Sequence, residues 1–503
     1  MEISLALLPI VVIFLLLFVL KQSSVTAGII SFFVAAVIAM FTPYFSLNLT
    51  SLFDATAEGF LLTVIVAYVL LFGIWLFHLM NEAGLIQTIA VHISESTSDP
   101  ARQALILVIA FSPLVESVTG FGIAVIVIAP ILIALGFPLF KAAVLSLVSL
   151  TAVPWGALST GSVIGANLTG ISIHSLGAGT ALMSIPVFFY FTMITVFIVG
   201  GWKELRKKWF EIIAVSVALI GAIWFFSQFV SVELAGVFAS LAALSVEMLF
   251  VRFAEKKQKK NDVVAVSETN VKDSLFKALS PYLLLTTMLF LSRLIPMVRE
   301  WLNTHGIIEL KKYAFELPIL YSPGFFLLLT CLFAIVLFKL NVSLIRKSFI
   351  ATIKQWVPVN VSMFGFVAMA QVMAYSGMTN LLAETGANKF GSAFVILSPM
   401  IGAVGGFLTG SNTGSNAMFI KLQVQTANLL NLSPELVAYS QNASAGHVTM
   451  ASPSRVLLAA QVSNIRHEEI SLLKMMVKIA GFALLLIIVE MLVISLFSQI
   501  SHK

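Results

Sequence analysis

A chain of 503 residues in which 59% are hydrophobic and only 10% are charged is not an ordinary soluble domain, where about 45–50% are apolar and about 25% charged. The mean hydropathy of +1.03 and the roughly 20 apolar residues needed per crossing leave room for about a dozen membrane spans. The formal charge of +6 does not indicate a nucleic-acid partner, because the 29 Lys and Arg residues collect in short loops. The single cysteine, Cys331, excludes an internal disulfide.

Apolar runs long enough to cross a bilayer recur along the whole chain. The first has no basic region before it and no small-residue cleavage site after it, so we expect a retained helix. The sequence therefore predicts an all-α, multi-pass protein of the cell membrane, with about 12–14 transmembrane helices and the lipid bilayer as a partner. The runs cover approximately residues 3–20, 25–42, 60–80, 121–136, 140–154, 180–200, 211–229, 233–251, 278–296, 322–340, 356–376, 391–408 and 476–498.

Two further regions, 103–122 and 398–455, carry Gly, Pro, Ser, Thr and Asn inside membrane-compatible sequence. Irregular backbone cannot face lipid, because its amides would have no hydrogen-bond partners. These regions therefore predict broken helices or re-entrant hairpins that face a protein-lined, partly wet cavity.

Basic residues concentrate in 202–208, 252–260 and 339–354, which we expect on the cytoplasmic side. The run 60–80 then points inward and the run 356–376 points outward. The charged segment 295–320 is expected to lie on the outer surface, and the polar segment 255–274 is expected to be a flexible cytoplasmic linker.

The segments that begin with the opposed runs 60–80 and 356–376 contain blocks that align with each other without gaps. An inverted repeat with broken helices at matching places is a design of secondary transporters, whose substrate binds near the midplane. The aligned blocks are 79–90 with 372–383, 112–121 with 398–407, and 158–161 with 443–446. The predicted division is 1–59, N-terminal helices; 60–200, first repeat with a broken helix near 112–122; 201–275, helical hairpin and linker; 276–355, peripheral helices; 356–503, second repeat with a polar tip at 409–416 and a final helix.

Glu116 is the candidate proton carrier. Between Arg102 and Lys203 the only formally charged side chains are Glu116 and Lys141. A carboxylate at membrane depth is costly and typically marks an ion or proton pathway, although a Glu at an interfacial helix end is the alternative. Candidate substrate ligands beside it, which can expose backbone groups, are Ser117, Thr119 and Gly120.

The second repeat carries a polar tract without charge, which begins where an apolar run ends. Cap residues at a helix N-terminus leave amide donors for an anion, and their oxygens can ligate a cation; an extramembrane turn is the alternative. The candidate substrate ligands in this tract are Thr409, Gly410, Ser411, Asn412, Thr413, Ser415 and Asn416.

A third polar group runs from 440 to 455. Arg455 can pair a carboxylate with two hydrogen bonds, or can extend to the interface instead. His447 is a candidate for proton coupling or a structural residue. Lys421 has the same two interpretations: it can pair with the charge of the substrate, or it can extend to the membrane interface.

No metal-ligand spacing, phosphate loop or nucleotide motif is present, so we expect no cofactor. We expect the energy to come from an ion gradient, with protons as the coupling ion and sodium possible.

These motifs resemble the L-lactate permease family, whose members take up lactate and glycolate with protons. The resemblance covers about 77–176 and 362–465 and is carried by LVESVTGFG at 114–122, FLTGSNTGSNAMF at 407–419, LQV at 422–424 and ASP at 451–453. It implies membership of a wider group of ion-coupled anion carriers. Some of these bind sodium and carboxylate at paired Ser-Asn-Thr hairpin tips and move one domain as an elevator, and 411–413 looks like such a tip.

Three departures from that family stand out. The family usually has Glu-Gly-Ala-Ala-Gly-Phe-Gly at 116–122, an Asp in place of Asn412, and uncharged residues in place of Lys421 and Arg455.

The prediction is a symporter, not an enzyme, that carries a small 2-hydroxymonocarboxylate with protons. The alternative is a sodium-coupled carrier of a larger or more charged organic anion, and a remote alternative is an intramembrane serine hydrolase using Ser411 or Ser415 with His447. A homodimer is possible.

Overall fold

The computed structural model describes residues 1–120, 122–258, 269–313 and 315–501, and these residues are almost entirely helical. Short 3₁₀ or π segments join several of the helices. The elements in chain order are α1 (Glu2–Phe14), α2 (Ser24–Phe41), α3 (Leu49–Glu82), α4 (Leu85–Glu95), α5 (Pro100–Ala104), α6 (Ser112–Thr119), α7 (Ile123–Ala134), α8 (Leu139–Val148), α9 (Gly156–Thr169), α10 (Ile173–Met183), α11 (Ile185–Phe229), α12 (Val232–Gln258), α13 (Thr269–Leu294), α14 (Pro296–Thr304), β1 (Ile307–Leu310), β2 (Phe315–Pro318), α15 (Pro323–Leu337), α16 (Val342–Tyr375), α17 (Met378–Phe390), α18 (Phe394–Thr409), α19 (Asn412–Leu429), α20 (Pro434–Val448), α21 (Pro453–Val462) and α22 (Glu469–Ser501).

The predicted all-α membrane architecture is confirmed. Within the described residues, eight helices are long and apolar enough to cross a bilayer, or up to ten if each of two bent pairs is one span. With each bent pair taken as one span, three shorter apolar helices in the described part bring the total of apolar helices to thirteen, against the predicted 12–14. The sheet in the described part is one antiparallel hairpin, β1 with β2, in the segment expected outside. Of the predicted linker, 259–268 lies outside the described residues, and its flanks continue α12 and α13.

The inverted repeat is visible in the order and length of the helices. α3 and α16 each have 34 residues, pack against each other, and are each followed by a short helix that starts after a left-handed glycine. Those glycines, Gly84 (φ 71°) and Gly377 (φ 82°), are paired in the first aligned block. A re-entrant hairpin and a broken helix then follow in both halves.

The first hairpin is defined here as 100–134, with its tip at Gly120 and Gly122, and the second hairpin as 394–429, with its tip at Gly410 and Ser411. The first broken helix joins α8 to α9, and the second joins α20 to α21. The run 140–154, predicted as one continuous span, instead stops at Val148, and α8 bends by 57° from the helix that follows.

The third aligned block is wrong. Residues 158–161 lie after the break in the first broken helix, whereas 443–446 lie before the break in the second. The two 3₁₀ turns, Val153–Trp155 and Thr449–Ala451, occupy the equivalent positions. Gly, Ala and Ser recur in both regions, so an ungapped sequence match could not fix the register.

Ion pairs at the two ends of the long helices agree with the predicted orientation. Glu82, at the end of α3, pairs with Lys347 at 2.6 Å, next to a basic segment expected in the cytoplasm. Asp54, near the start of α3, pairs with Lys312 of the outer segment at 2.5 Å. In this orientation, which stays a prediction, the first hairpin enters from the cytoplasmic face and the second enters from the outer face.

Candidate functional site

The tips of the two hairpins meet the breaks of the two broken helices inside the protein. At the second tip, Gly410 adopts a left-handed conformation (φ 62°) that lets the chain reverse between α18 and α19. Ser411 then caps α19, and its hydroxyl accepts a hydrogen bond from the Gly414 amide at 3.1 Å. At the first tip, a Cβ on Gly120 would lie 2.4 Å from the Ala157 methyl group, so the tip packs directly against α9.

Glu116 lies just before the first tip and is only 1% exposed. Its Oε1 accepts a hydrogen bond from the Gly122 amide at 3.3 Å, and its Oε2 has no hydrogen-bond partner among the described residues. A Cβ on Gly156 would lie 3.4 Å from the Glu116 side chain. The carboxyl group is therefore held against the first broken helix with one oxygen left available.

Arg455 begins the second broken helix's inner arm and is 4% exposed. Its Nη1 donates to the Thr449 hydroxyl at 2.9 Å, and its Nη2 lies 3.9 Å from Oε1 of Glu116. The Nε has no hydrogen-bond partner among the described residues. This acid and base come from opposite repeats, and each keeps an unpaired polar atom at the point where the repeats meet.

Three cavities are arranged around this pair. An inner cavity of 410 Å³ reaches Thr409, Gly410, Ser411, Thr413 and Arg455, and it is also lined by Ser24 at the cytoplasmic end of α2. A central cavity of 20 Å³ is lined by Glu116, Gly120, Ser411, Asn412, Thr413, Arg455 and Thr160, among others.

An outer cavity of 160 Å³ lies beside β2, and Thr160 lines both it and the central cavity. The Thr160 and Thr413 hydroxyl groups are 3.1 Å apart, so the two repeats touch at this point. The inner cavity also shares residues with the central one. The protein therefore has a cavity on each side of the buried pair, and the larger one lies on the side that we expect to face the cytoplasm.

A network of amide side chains supports the second tip. Oδ1 of Asn442 accepts hydrogen bonds from Asn412 (2.8 Å) and Asn416 (2.7 Å). Its Nδ2 donates to Ser162 and Thr180, both at 2.9 Å. Four partners from both repeats therefore meet at one asparagine, and Oδ1 of Asn412 is left without a partner in the described structure.

Several candidate residues lie near the tips but do not line the three cavities. The Thr119 hydroxyl donates within its own helix to the Val115 carbonyl at 2.7 Å, and Ser117 faces Gly236 of α12. Ser415 donates to the Gly402 carbonyl at 3.0 Å, and Asn416 donates to the Gly161 carbonyl at 3.0 Å.

Two further candidates lie elsewhere. Lys421 donates to Gln371 of α16 at 3.3 Å, away from the central cavity. His447 bonds Ser184 at 2.8 Å and packs against the rings of Phe188 and Phe191. A serine nucleophile needs a base within hydrogen-bond reach, and His447 pairs with neither Ser411 nor Ser415.

Sequence reasoning did not single out Thr160, Gly161, Asn442 or Ser454 as site residues. Thr160 and Gly161 contact the second tip, and Ser454 lines the inner cavity. Asn442 lies in a polar segment that was noted, but only the fold shows that four partners converge on it. A short Ser-Thr-Gly run such as 159–161 is too common in membrane helices to be a signal by itself.

The start of α9 has an unusual backbone. Ala157, Leu158 and Ser159 have φ values of 48°, 54° and 58°, and left-handed helical geometry costs roughly 1–2 kcal/mol per non-glycine residue. The Ser159 hydroxyl donates to the Val232 carbonyl at 2.7 Å and helps to hold this turn. Strained backbone of this kind clusters at functional sites.

An inverted repeat, two re-entrant hairpins and a buried charge pair between opposed cavities define a membrane transporter rather than an enzyme. The family description "L-lactate permease" matches residues 2–500. The chain belongs to the L-lactate permease family, and is a multi-pass integral protein of the cell membrane.

Individual relatives agree with this assignment. The L-lactate permease of Streptococcus iniae is 27% identical over 443 residues, which cover 86% of this chain and 92% of the relative. The L-lactate permease of Escherichia coli K12 is 25% identical over 509 residues (94% and 92%). The glycolate permease GlcA of the same strain is 25% identical over 523 residues (94% and 92%). Among solved structures, the efflux pump MtrF of Neisseria gonorrhoeae is similar with a TM-score of 0.49 and 13% identity over 93% of this chain and 94% of that chain.

Proposed function

We propose that this protein carries lactate or a similar small 2-hydroxymonocarboxylate across the cell membrane together with a proton. The names of its relatives, which are lactate and glycolate permeases, support the substrate class. The observation that carries the mechanism is the buried pair of Glu116 and Arg455 at the junction of the inner and central cavities.

The charge balance of this pair accounts for coupling. In the empty site, ionised Glu116 and Arg455 sum to zero. When a proton neutralises Glu116, Arg455 is released to pair with the substrate carboxylate, and the loaded site again sums to zero. A substrate without a proton, or a proton without a substrate, leaves a net charge at membrane depth, which is costly. Only the empty and fully loaded sites are therefore free to move.

The membrane potential favours the same arrangement. A potential that is negative inside opposes the entry of an anion by about 2.3 kcal/mol per 100 mV. One proton per monocarboxylate removes that opposition. The site needs no cofactor for this, since the proton and the organic anion are its only cargo.

We place the substrate carboxylate in the inner cavity, and the cavity volumes support this choice. The central cavity of 20 Å³ has room for about one water molecule, whereas the inner cavity of 410 Å³ has room for a small acid beside Arg455. Arg455, whose Nε has no partner among the described residues, lines this cavity together with the tip residues Ser411 and Thr413. Asn412 Oδ1 is a free acceptor for the substrate's 2-hydroxyl group.

The test is uptake into proteoliposomes that contain the full chain, with proton and sodium gradients imposed separately. Wild-type protein is expected to accumulate labelled lactate under a proton gradient and not under a sodium gradient alone. Glu116→Gln is expected to abolish accumulation but to keep exchange of labelled for unlabelled substrate, because a permanently neutral residue 116 mimics the protonated state. Glu309→Gln, which changes an exposed acid on β1, is the matched control.

Two results would reject the proposal. Accumulation by Glu116→Gln at the wild-type level would remove this carboxyl group from coupling. Uptake driven by sodium alone would make sodium, and not the proton, the coupling ion. Preference for a dicarboxylate in a panel of hydroxy, keto and dicarboxylic acids would make the substrate a dicarboxylate and not a monocarboxylate.

A further inference from the structure

A long apolar groove lies between α1, α17 and the second hairpin, separate from the three cavities around Glu116. Its volume is 500 Å³, larger than that of the inner cavity. Most of its lining is aliphatic or aromatic. The wall residues include Ile3, Leu7, Ile10 and Phe14 of α1, Phe394, Leu397, Met400 and Val404 of α18, and Phe419 and Leu422 of α19.

The groove is open to the bilayer along its length. Ile3 is 38% exposed, Met400 42% and Val404 42%. The protein itself does not fill the groove, and its apolar walls do not hold water. In a membrane, a groove of this composition is filled by hydrocarbon.

The depth of the groove matches one leaflet. From Ile3 to Phe14 a helix rises about 16 Å, which is close to half of a hydrocarbon core of roughly 30 Å. α18 starts at the outer face and its wall residues, from Phe394 to Val404, cover a similar depth. The groove therefore runs from the outer interface to the middle of the membrane.

A single cation lines the outer end of this groove. Lys389 lies five residues before Phe394, is exposed, and makes no ion pair or hydrogen bond within the described part of the chain. Glu384, on the same helix, does not line the groove. An ammonium group above an apolar channel of one-leaflet depth is complementary to a phosphate headgroup with an acyl chain below it.

We propose that this groove binds one phospholipid of the outer leaflet, with its phosphate group at Lys389 and an acyl chain between α1 and the second hairpin. The bound chain contacts α18 through Met400 and α19 through Phe419, so it packs against both arms of the hairpin that carries the substrate-site tip. The lipid thereby supports the hairpin on its lipid-facing side. This proposal does not depend on the identity of the transported acid.

The test is native mass spectrometry of the purified full chain with phosphatidylglycerol added to a delipidated detergent preparation. Wild-type protein is expected to retain one phospholipid after washing. Lys389→Gln is expected to weaken phosphatidylglycerol retention by about fivefold, because one interfacial lysine is lost. Lys311→Gln, which removes an exposed lysine elsewhere on the outer surface, is expected to leave retention unchanged.

A second, independent test fills the groove with a large side chain. Met400→Trp is expected to abolish retention of any phospholipid, whereas Val336→Trp, at a site on α15 that is 76% exposed, should not. Phosphatidylglycerol should also raise the unfolding temperature of the wild type and of Val336→Trp, and should raise that of Lys389→Gln by less. Equal retention in all four variants would overturn the proposal. Loss of a dimer mass in Met400→Trp with lipid retention intact would instead assign the groove to a second copy of the chain.

Discussion

The two repeats build similar backbones but supply opposite chemistry. The first hairpin brings an acid, Glu116, to its tip, and it reaches the tip through a π-helical segment, Leu105–Phe111. The second hairpin has a tip of uncharged cap residues, and the base, Arg455, comes from the broken helix beside it. The charge pair therefore exists only where the two repeats meet, so changing the contact between them changes the electrostatics of the site.

The breaks differ as well. The first broken helix restarts through three left-handed residues, whereas the second restarts at Ser452, which is extended (φ −62°, ψ 141°) and whose hydroxyl accepts a hydrogen bond from the Arg455 amide. A serine cap costs no backbone strain. We infer that the first break is held in place by its neighbours, while the second is stable by its own sequence.

The largest expected effect comes from separating the charge pair. Arg455→Gln leaves buried Glu116 without its cation, and removal of one partner of a buried pair typically costs about 3–5 kcal/mol. The double variant Glu116→Gln with Arg455→Gln removes both charges, so it should recover most of that stability while uptake remains absent. The measurement is thermal unfolding of the purified variants together with lactate uptake.

If the double variant is no more stable than Arg455→Gln alone, the two side chains are not energetically coupled. Arg206→Gln, which changes an exposed cytoplasmic arginine, is the control and should match the wild type in both measurements.

The next effect concerns the amide network of the second repeat. Asn442→Ala leaves the Asn412 amide without its acceptor and leaves the Asn416 amide with only the Gly161 carbonyl, and a buried unsatisfied group costs about 1–3 kcal/mol. We expect a lower unfolding temperature and a strong loss of uptake, since the second tip loses its support. Asn388→Ala, at an exposed position, should be neutral. Wild-type uptake by Asn442→Ala would show that the cap residues hold the tip without the network.

A smaller effect is expected where the repeats touch at a glycine. A Cβ on Gly161 would lie 2.5 Å from Nδ2 of Asn412 and 3.1 Å from the Thr413 amide nitrogen. Gly161→Ala should therefore displace the second tip and cost about 1–3 kcal/mol, the usual range for overpacking. Gly221→Ala, where a Cβ would meet nothing within 4 Å, is the control. Unchanged substrate affinity in Gly161→Ala would mean that the tip tolerates the shift.

Much of this arrangement could be predicted from the sequence, because its signals are local. Apolar length identified the spans, and an isolated acid within a membrane segment identified Glu116. Cap residues without charge identified the tip at 409–416. Each of these signals lies within a few consecutive residues.

Long-range geometry was not predictable in the same way. Arg455 is 339 positions from Glu116 and the sequence did not indicate that the two are neighbours. The tips are also offset, since Gly120 comes eight residues after Ser112 whereas Gly410 comes twelve after Ser398. One extra helical turn in the second arm shifts the tip relative to the aligned Ser-Pro pairs, and nothing in the composition of α18 marks that turn.

The smallest expected effect separates Lys421 from Arg455, two basic residues of the second repeat. Lys421 reaches Gln371 of α16, which in turn donates to Glu58 of α3 at 2.8 Å, so this lysine joins the second hairpin to the long central helices. A half-exposed contact of this kind contributes up to about 1 kcal/mol. Lys421→Gln should therefore keep the KM for lactate within about twofold of the wild type, whereas Arg455→Lys, with no bidentate fork, should raise it by about tenfold or more. A KM shift in Lys421→Gln as large as that in Arg455→Lys would place Lys421 on the substrate path, and the two bases would then share one role instead of one binding the anion and the other holding the hairpin.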